Sequence, residues 1–174
     1  HSEYWSERMK RNLEKHYNAG RALFFFSGNS IFRDIEPYKG GIKVVSQESS
    51  RRRTENITGA FYDEIGYQTW APYKVVNREH WIFEGLSKET ELFGQSDPSN
   101  KFDGASGYET DKMKKSEPSL LVAQGTNPDH YGRRGGIVFN ASSVSFTSSI
   151  YNDHTIRLII GNLFKRAGRP INID

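Results

Sequence analysis

The chain has 174 residues, a formal net charge of +3, 35% hydrophobic and 13% aromatic residues, and no cysteine. That length supports one domain with an aromatic-rich core, and a charge this mild and evenly spread argues against a nucleic-acid partner. The lack of cysteine excludes disulfides, thiolate zinc sites and cysteine nucleophiles. It fits a reducing compartment, so a cytoplasmic location is expected. No apolar run approaches membrane-spanning length, so no membrane partner is expected.

The chain opens on His1-Ser2-Glu3-Tyr4-Trp5, an imidazole, a carboxylate, a phenol and an indole in one short segment. Ser6 is suited to cap a helix, and Glu7 suits the first turn. Trp5, Met9, Leu13 and Tyr17 recur at a spacing of four, which predicts one apolar stripe of a helix running to about Asn18. Gly20 suits its C-terminus. Ala22-Leu23-Phe24-Phe25-Phe26 then reads as a strand buried on both faces. Ser27-Gly28-Asn29-Ser30 forms a turn, and residues 31–35 read as a further helical turn. Helix, buried strand, Gly-Asn turn and helix make half of a doubly wound unit. In such sheets the residues just past a strand's carboxyl end line the ligand crevice, which places Asn29 beside a site. The first helix should also be fed by a strand. His1 to Trp5 therefore reads as a strand-to-helix elbow whose supporting strand lies upstream, so the domain is expected to be N-terminally truncated.

Residues 39–103 read as a β-rich insertion of short hairpins and loops, with strands at 42–45, 57–62, 73–76 and 80–83. Arg51-Arg52-Arg53 suits a solvated loop, or an arginine reaching a site or a neighbouring subunit. Gly104-Ala105-Ser106-Gly107-Tyr108-Glu109-Thr110-Asp111 is a second polar cluster, whose glycines let the backbone come close to something. Residues 120–123 predict a strand, and residues 136–141 a buried strand. Asn152 or Asp153 caps a last helix with Ile156, Ile159, Ile160, Leu163 and Phe164 on one wide apolar face. Gly168 and Pro170 end it. The whole, 1–174, reads as a single α/β domain. His80, His130 and His154 have no ligand spacing and read as structural.

Taken in order, the His-Ser-Glu-Tyr-Trp-Ser elbow, the Phe-Phe-Phe-Ser-Gly-Asn strand end, Gly107-Tyr108-Glu109 and Val138-Phe139-Asn140-Ala141-Ser142-Ser143 resemble one known family. This is the C-terminal part of the N,N-dimethylformamidase large (β) subunit family. The resemblance covers nearly the whole chain and is weakest over residues 45–101. It implies a mostly parallel, doubly wound sheet of class I glutamine-amidotransferase-like type. It implies a hydrolase that splits the C–N bond of a small N-substituted amide with metal-activated water. The implied cofactor is a mononuclear iron held by two tyrosines and one glutamate. Glu3 matches the glutamate, with the tyrosines expected upstream of the elbow. His1, Asn29 and Glu109 match the accompanying catalytic residues. A small amide substrate, a small second subunit and a homo-oligomer are the implied partners.

Amide hydrolysis needs an electrophile at the carbonyl oxygen, an activated water and a proton for the leaving amine. Iron is a hard Lewis acid, and the Glu3 carboxylate suits it. Glu109 suits proton transfer, Asn29 suits a hydrogen bond to the carbonyl oxygen, and His1 suits the orientation of Glu3. Each residue has a plainer reading. Glu3 is also an ordinary helix-start carboxylate, Asn29 a turn residue, Glu109 a surface partner of Lys112 and His1 simply the terminal residue. Two other functions stay open at this point. One is a non-enzymatic amidotransferase-like module binding a carbohydrate or peptide, with Trp5, Trp70 and Trp81 available for stacking. The other is a metal-free hydrolase using Glu3 and His1 directly.

Overall fold

The structure, a computed structural model, describes residues 3–19, 21–46, 58–63, 68–95, 104–107, 110–113, 121–126, 141 and 144–167. His1, Tyr108, Glu109, Arg51-Arg52-Arg53 and the run 136–140 lie outside the described residues.

The described residues form a mixed α/β arrangement of small sheets and two helices. β1 (Tyr4–Ser6) leads directly into α1 (Glu7–Asn18). Ser6 caps α1 as its sequence predicts, its hydroxyl accepting from the Met9 N–H at 3.3 Å. β1 pairs in parallel with β2 (Arg33–Tyr38), which pairs antiparallel with β3 (Gly41–Ser46). The β1-to-β2 passage through α1 is thus a crossover between parallel neighbours. β1/β2 is the parallel pair among the described residues, and the remaining pairs are antiparallel. The described residues are therefore a mixed α/β arrangement with one parallel strand pair among them.

The predicted helical turn at 31–35 is corrected: the chain enters strand β2 at Arg33. The strand expected at 80–83 is a 3₁₀ turn, Trp81–Phe83, which His80 caps by accepting the Ile82 N–H on Nδ1. Residues 22–26 run without ladder pairing among the described residues. Even so, the Phe25 carbonyl accepts the N–H of Ala141 at 2.8 Å, so the ends of two runs read as buried strands meet.

The middle segments pair as β4 (Ala60–Asp63) with β9 (Thr110–Met113), and β5 (Trp70–Ala71) with β8 (Ser106–Gly107). β6 (Tyr73–Val75) lies between β7 (Leu92–Phe93) and β10 (Ala123–Gly125). A methyl group on Gly104 would sit 2.2 Å from the Ala71 carbonyl carbon, and one on Gly107 2.4 Å from the Thr69 carbonyl oxygen. The close approach predicted for these glycines is therefore to the chain's own strand β5.

The core gathers Tyr73, Phe83, Phe93, Val122, Phe146 and the buried face of α2 (His154–Ala167), namely Ile156, Ile159 and Leu163. Asp153 caps α2, accepting the Ile156 N–H at 2.9 Å, and its other oxygen accepts the Gly94 N–H at 2.6 Å. Asn162 donates to the carbonyls of Ile82 and Glu84, both at 2.9 Å, which pins α2 to the 3₁₀ turn. Phe24 and Phe26 pack on this core from the Gly-Asn side, Phe26 stacking on Phe146 with centroids 6.1 Å apart.

α1 departs from its sequence pattern. Met9 and Tyr17 of the predicted apolar stripe are 43% and 56% exposed, while Lys10 is only 4% exposed. The Lys10 ammonium meets Asp34 of β2 at 2.6 Å and Glu7 at 3.4 Å. The helix meets its sheet through this ion pair, and of the predicted stripe Trp5 and Leu13 are half-buried.

Candidate active site

Glu3 stands at the entry to β1. Its backbone carbonyl accepts the N–H groups of Phe32 at 3.0 Å and Arg33 at 2.9 Å. Its carboxylate forms an ion pair with Arg33 Nε. The Arg33 guanidinium lies over the rings of Tyr4, at 5.9 Å, and Phe32, at 5.6 Å, an arrangement that favours a cation. Phe32 in turn packs edge-on against Tyr62 of β4. Glu3 is thus fixed through main chain and side chain to the start of β2.

The loop that delivers Arg33 to Glu3 is the Gly-Asn turn. Asn29 has φ 53° and Ile31 φ 57°, both in the left-handed region. Asn tolerates that conformation, but a β-branched residue there is a true outlier. Such a residue costs on the order of 1–3 kcal/mol and persists only where its surroundings over-determine it. Here they do. Ile31 is 1% exposed, its side chain packed inside the protein. Ser30 Oγ donates to the Ser27 carbonyl at 3.2 Å, and the two hydroxyls lie 3.3 Å apart. The Asn29 N–H donates to Asp111 Oδ1 at 2.7 Å. Asn29, Ser30, Thr110 and Asp111 are all buried, so the turn and the start of β9 meet in a polar patch inside the protein.

Of the residues expected from sequence, Glu3 binds Phe32 and Arg33 at the exit of the loop on which Asn29 sits, and Asn29 itself is bound to Asp111. His1 and Glu109 lie outside the described residues, but the chain two positions after Glu109 supplies Asp111, which holds Asn29. Arg33 and Asp111 are the residues that sequence reasoning missed. Asp111 closes the polar cluster already singled out at 104–111, and that was its one signal. Arg33 was hidden in the predicted helical turn. Trp70 and Trp81 lie on other elements, β5 and the 3₁₀ turn. His80 also stands apart from the site. Burial lowers its pKa below the ordinary value, which favours the neutral ring that caps the 3₁₀ turn.

The signature of the family described as "N,N-dimethylformamidase beta subunit-like, C-terminal" matches residues 1–156. The chain belongs to this family. The match spans the elbow, the Gly-Asn turn and the 104–111 cluster, and it supports a dimethylformamidase-like hydrolase. No curated protein matches the chain. None of the described helices of this dimethylformamidase-like chain is long and apolar enough to cross a membrane.

The iron implied by the family resemblance can be tested against the donors. Among the described residues no three His, Cys, Asp or Glu side chains gather as a metal site. Glu3 is a hard anionic oxygen donor, partly buried and held in place by Arg33. Metal-bound carboxylates are commonly oriented by such outer hydrogen bonds. Glu3 therefore fits as one ligand of a centre completed by other donors, and not as a centre of its own.

Proposed function

We propose that the chain is the amide-cleaving part of a hydrolase acting on a small N-substituted amide of the formamide type, with Glu3 contributing one ligand to a mononuclear iron. The observation that carries this reading is the strained, buried Gly-Asn loop, clamped between Glu3 and Asp111. Strain of this kind concentrates at functional sites.

Glu3, with tyrosine oxygens from upstream, would hold an iron, which when bound would supply a Lewis acid and lower the pKa of water. The chain's own residues do the rest. Water adds to the amide carbonyl carbon while the Asn29 side-chain N–H groups donate to the carbonyl oxygen as it gains charge. Glu109 takes the proton from the attacking water. As the C–N bond breaks, it returns that proton to the leaving nitrogen, giving an amine and a carboxylic acid, which then loses its own proton to water. Arg33 holds the Glu3 carboxylate in orientation, and His1 supports it from the same segment. A small second subunit, a homo-oligomeric assembly, a cytoplasmic location and an amidotransferase-like doubly wound sheet belong to this same proposal.

The test uses the full-length protein, its iron content and its release of formate from N-substituted formamides. Glu3→Gln is expected to remove most of the iron and at least about 10²-fold of the rate, the scale of losing a ligand or its support. Full iron and full activity in Glu3→Gln would exclude Glu3 as the ligand. A wild-type protein without iron would end the metal reading.

A further inference from the structure

We infer that Asp111 is the positioning residue for Asn29. The inference rests on the reading of Asn29 as the donor to the substrate carbonyl, and it names the device that aims it.

Asp111 Oδ1 accepts the Asn29 N–H at 2.7 Å, across 82 residues of sequence. Asp111 is 5% exposed and Asn29 3%. A hydrogen bond from an amide to a buried carboxylate is short and strong, and a buried carboxylate that loses a donor incurs a desolvation cost. The bond therefore resists opening. It acts on the backbone of a residue in the left-handed region, where φ sets the direction in which the side chain leaves the chain. Fixing that N–H fixes the direction in which the Asn29 side chain leaves the backbone. Other holds on the loop act at Ser27, Ser30, Phe32 and Arg33. Asp111 also lies two residues after Glu109, so the segment expected to carry the proton-transferring carboxylate is the one that aims the oxyanion donor. A shift of about 1 Å in such a donor is worth on the order of 10²-fold in rate.

The experiment is a double-mutant cycle in the full-length, iron-loaded protein, with steady-state hydrolysis of an N-substituted formamide and hydrogen exchange of the 27–32 segment as readouts. Asp111→Asn keeps an oxygen that accepts the Asn29 N–H, and should retain kcat within about threefold. Asp111→Ala should lower kcat by about 30-fold to 10²-fold, with KM within about twofold and iron unchanged. In an Asn29→Ala background, Asp111→Ala should cost less than about threefold. Equal losses in both backgrounds would overturn the proposal, as would Asp111→Asn losing as much as Asp111→Ala. Exchange of the Asn29 amide should quicken in Asp111→Ala and not in Asp111→Asn, and unchanged exchange in Asp111→Ala also overturns it. Should Asp111→Ala not fold, Asp111→Asn decides alone by its kcat and its exchange. A wild-type protein inactive on every amide would instead sink the hydrolase reading, while exchange still reports on the Asp111–Asn29 tie.

Discussion

The helices α1 and α2 of this dimethylformamidase-like chain are held in opposite ways. α2 buries Ile156, Ile159 and Leu163 in an aromatic core, whereas α1 buries Lys10 and leaves Met9 and Tyr17 in the open. The region around α2 is held by apolar burial, which is strong and indifferent to direction. The region around α1 is held by Lys10–Asp34, Glu3–Arg33 and the bonds of the Gly-Asn loop. Buried ion pairs add little net stability because both partners lose their hydration, but they are demanding about geometry. The difference assigns separate tasks. The α2 region supplies stability, and the α1 region fixes the positions of Glu3 and Asn29. Phe24 and Phe26, just before the turn, tie one to the other.

That division can be broken by substitution. The largest stability effect is expected from Phe146→Ala, which empties a site shared with Phe26 and Tyr73. A loss of about 3–5 kcal/mol in urea unfolding is expected. A loss below about 1 kcal/mol would show that the core lies elsewhere. Next comes Lys10→Met. It takes the ammonium away from Asp34, itself only partly exposed, and should cost about 2–3 kcal/mol, while Lys10→Met with Asp34→Leu recovers most of that. A double variant no better than the single one would remove the ion pair from the account. The smallest effect is expected from Met9→Gln with Tyr17→Gln, within about 0.5 kcal/mol. A clearly larger loss in the full-length protein would mean that the apolar side of α1 is covered, as its periodicity predicts.

That last case shows what periodicity can and cannot say. The spacing of Met9, Leu13 and Tyr17 reveals residues on one face of a helix. It does not reveal that Lys10, on another face, has an aspartate waiting for it on β2. Local signals were legible. Ser6 caps the helix it was expected to cap, Asp153 proves to be the cap where Asn152 or Asp153 was expected, and β3 and β6 stand where short apolar segments predict strands. Short apolar runs were ambiguous, as at residues 80–83, where the His80 side chain tips the balance to a 3₁₀ turn. Ile31 in a left-handed conformation has no sequence signal at all, because its cost is met by packing and by bonds made at a distance. The candidate site divides the same way. Glu3 and Asn29 carry their own chemistry and could be read directly. Arg33 and Asp111 matter through partners 30 and 82 residues away, and only the fold brings them there.

The central claim is that the clamped Gly-Asn loop presents Asn29 to the carbonyl of a bound amide. The most direct measurement is kcat for formate release from an N-substituted formamide by the full-length protein and its Asn29→Ala variant, at matched iron content and melting temperature. The account predicts a fall of about 10²-fold to 10³-fold, the scale of removing one oxyanion donor. A kcat within about threefold of wild type would contradict it.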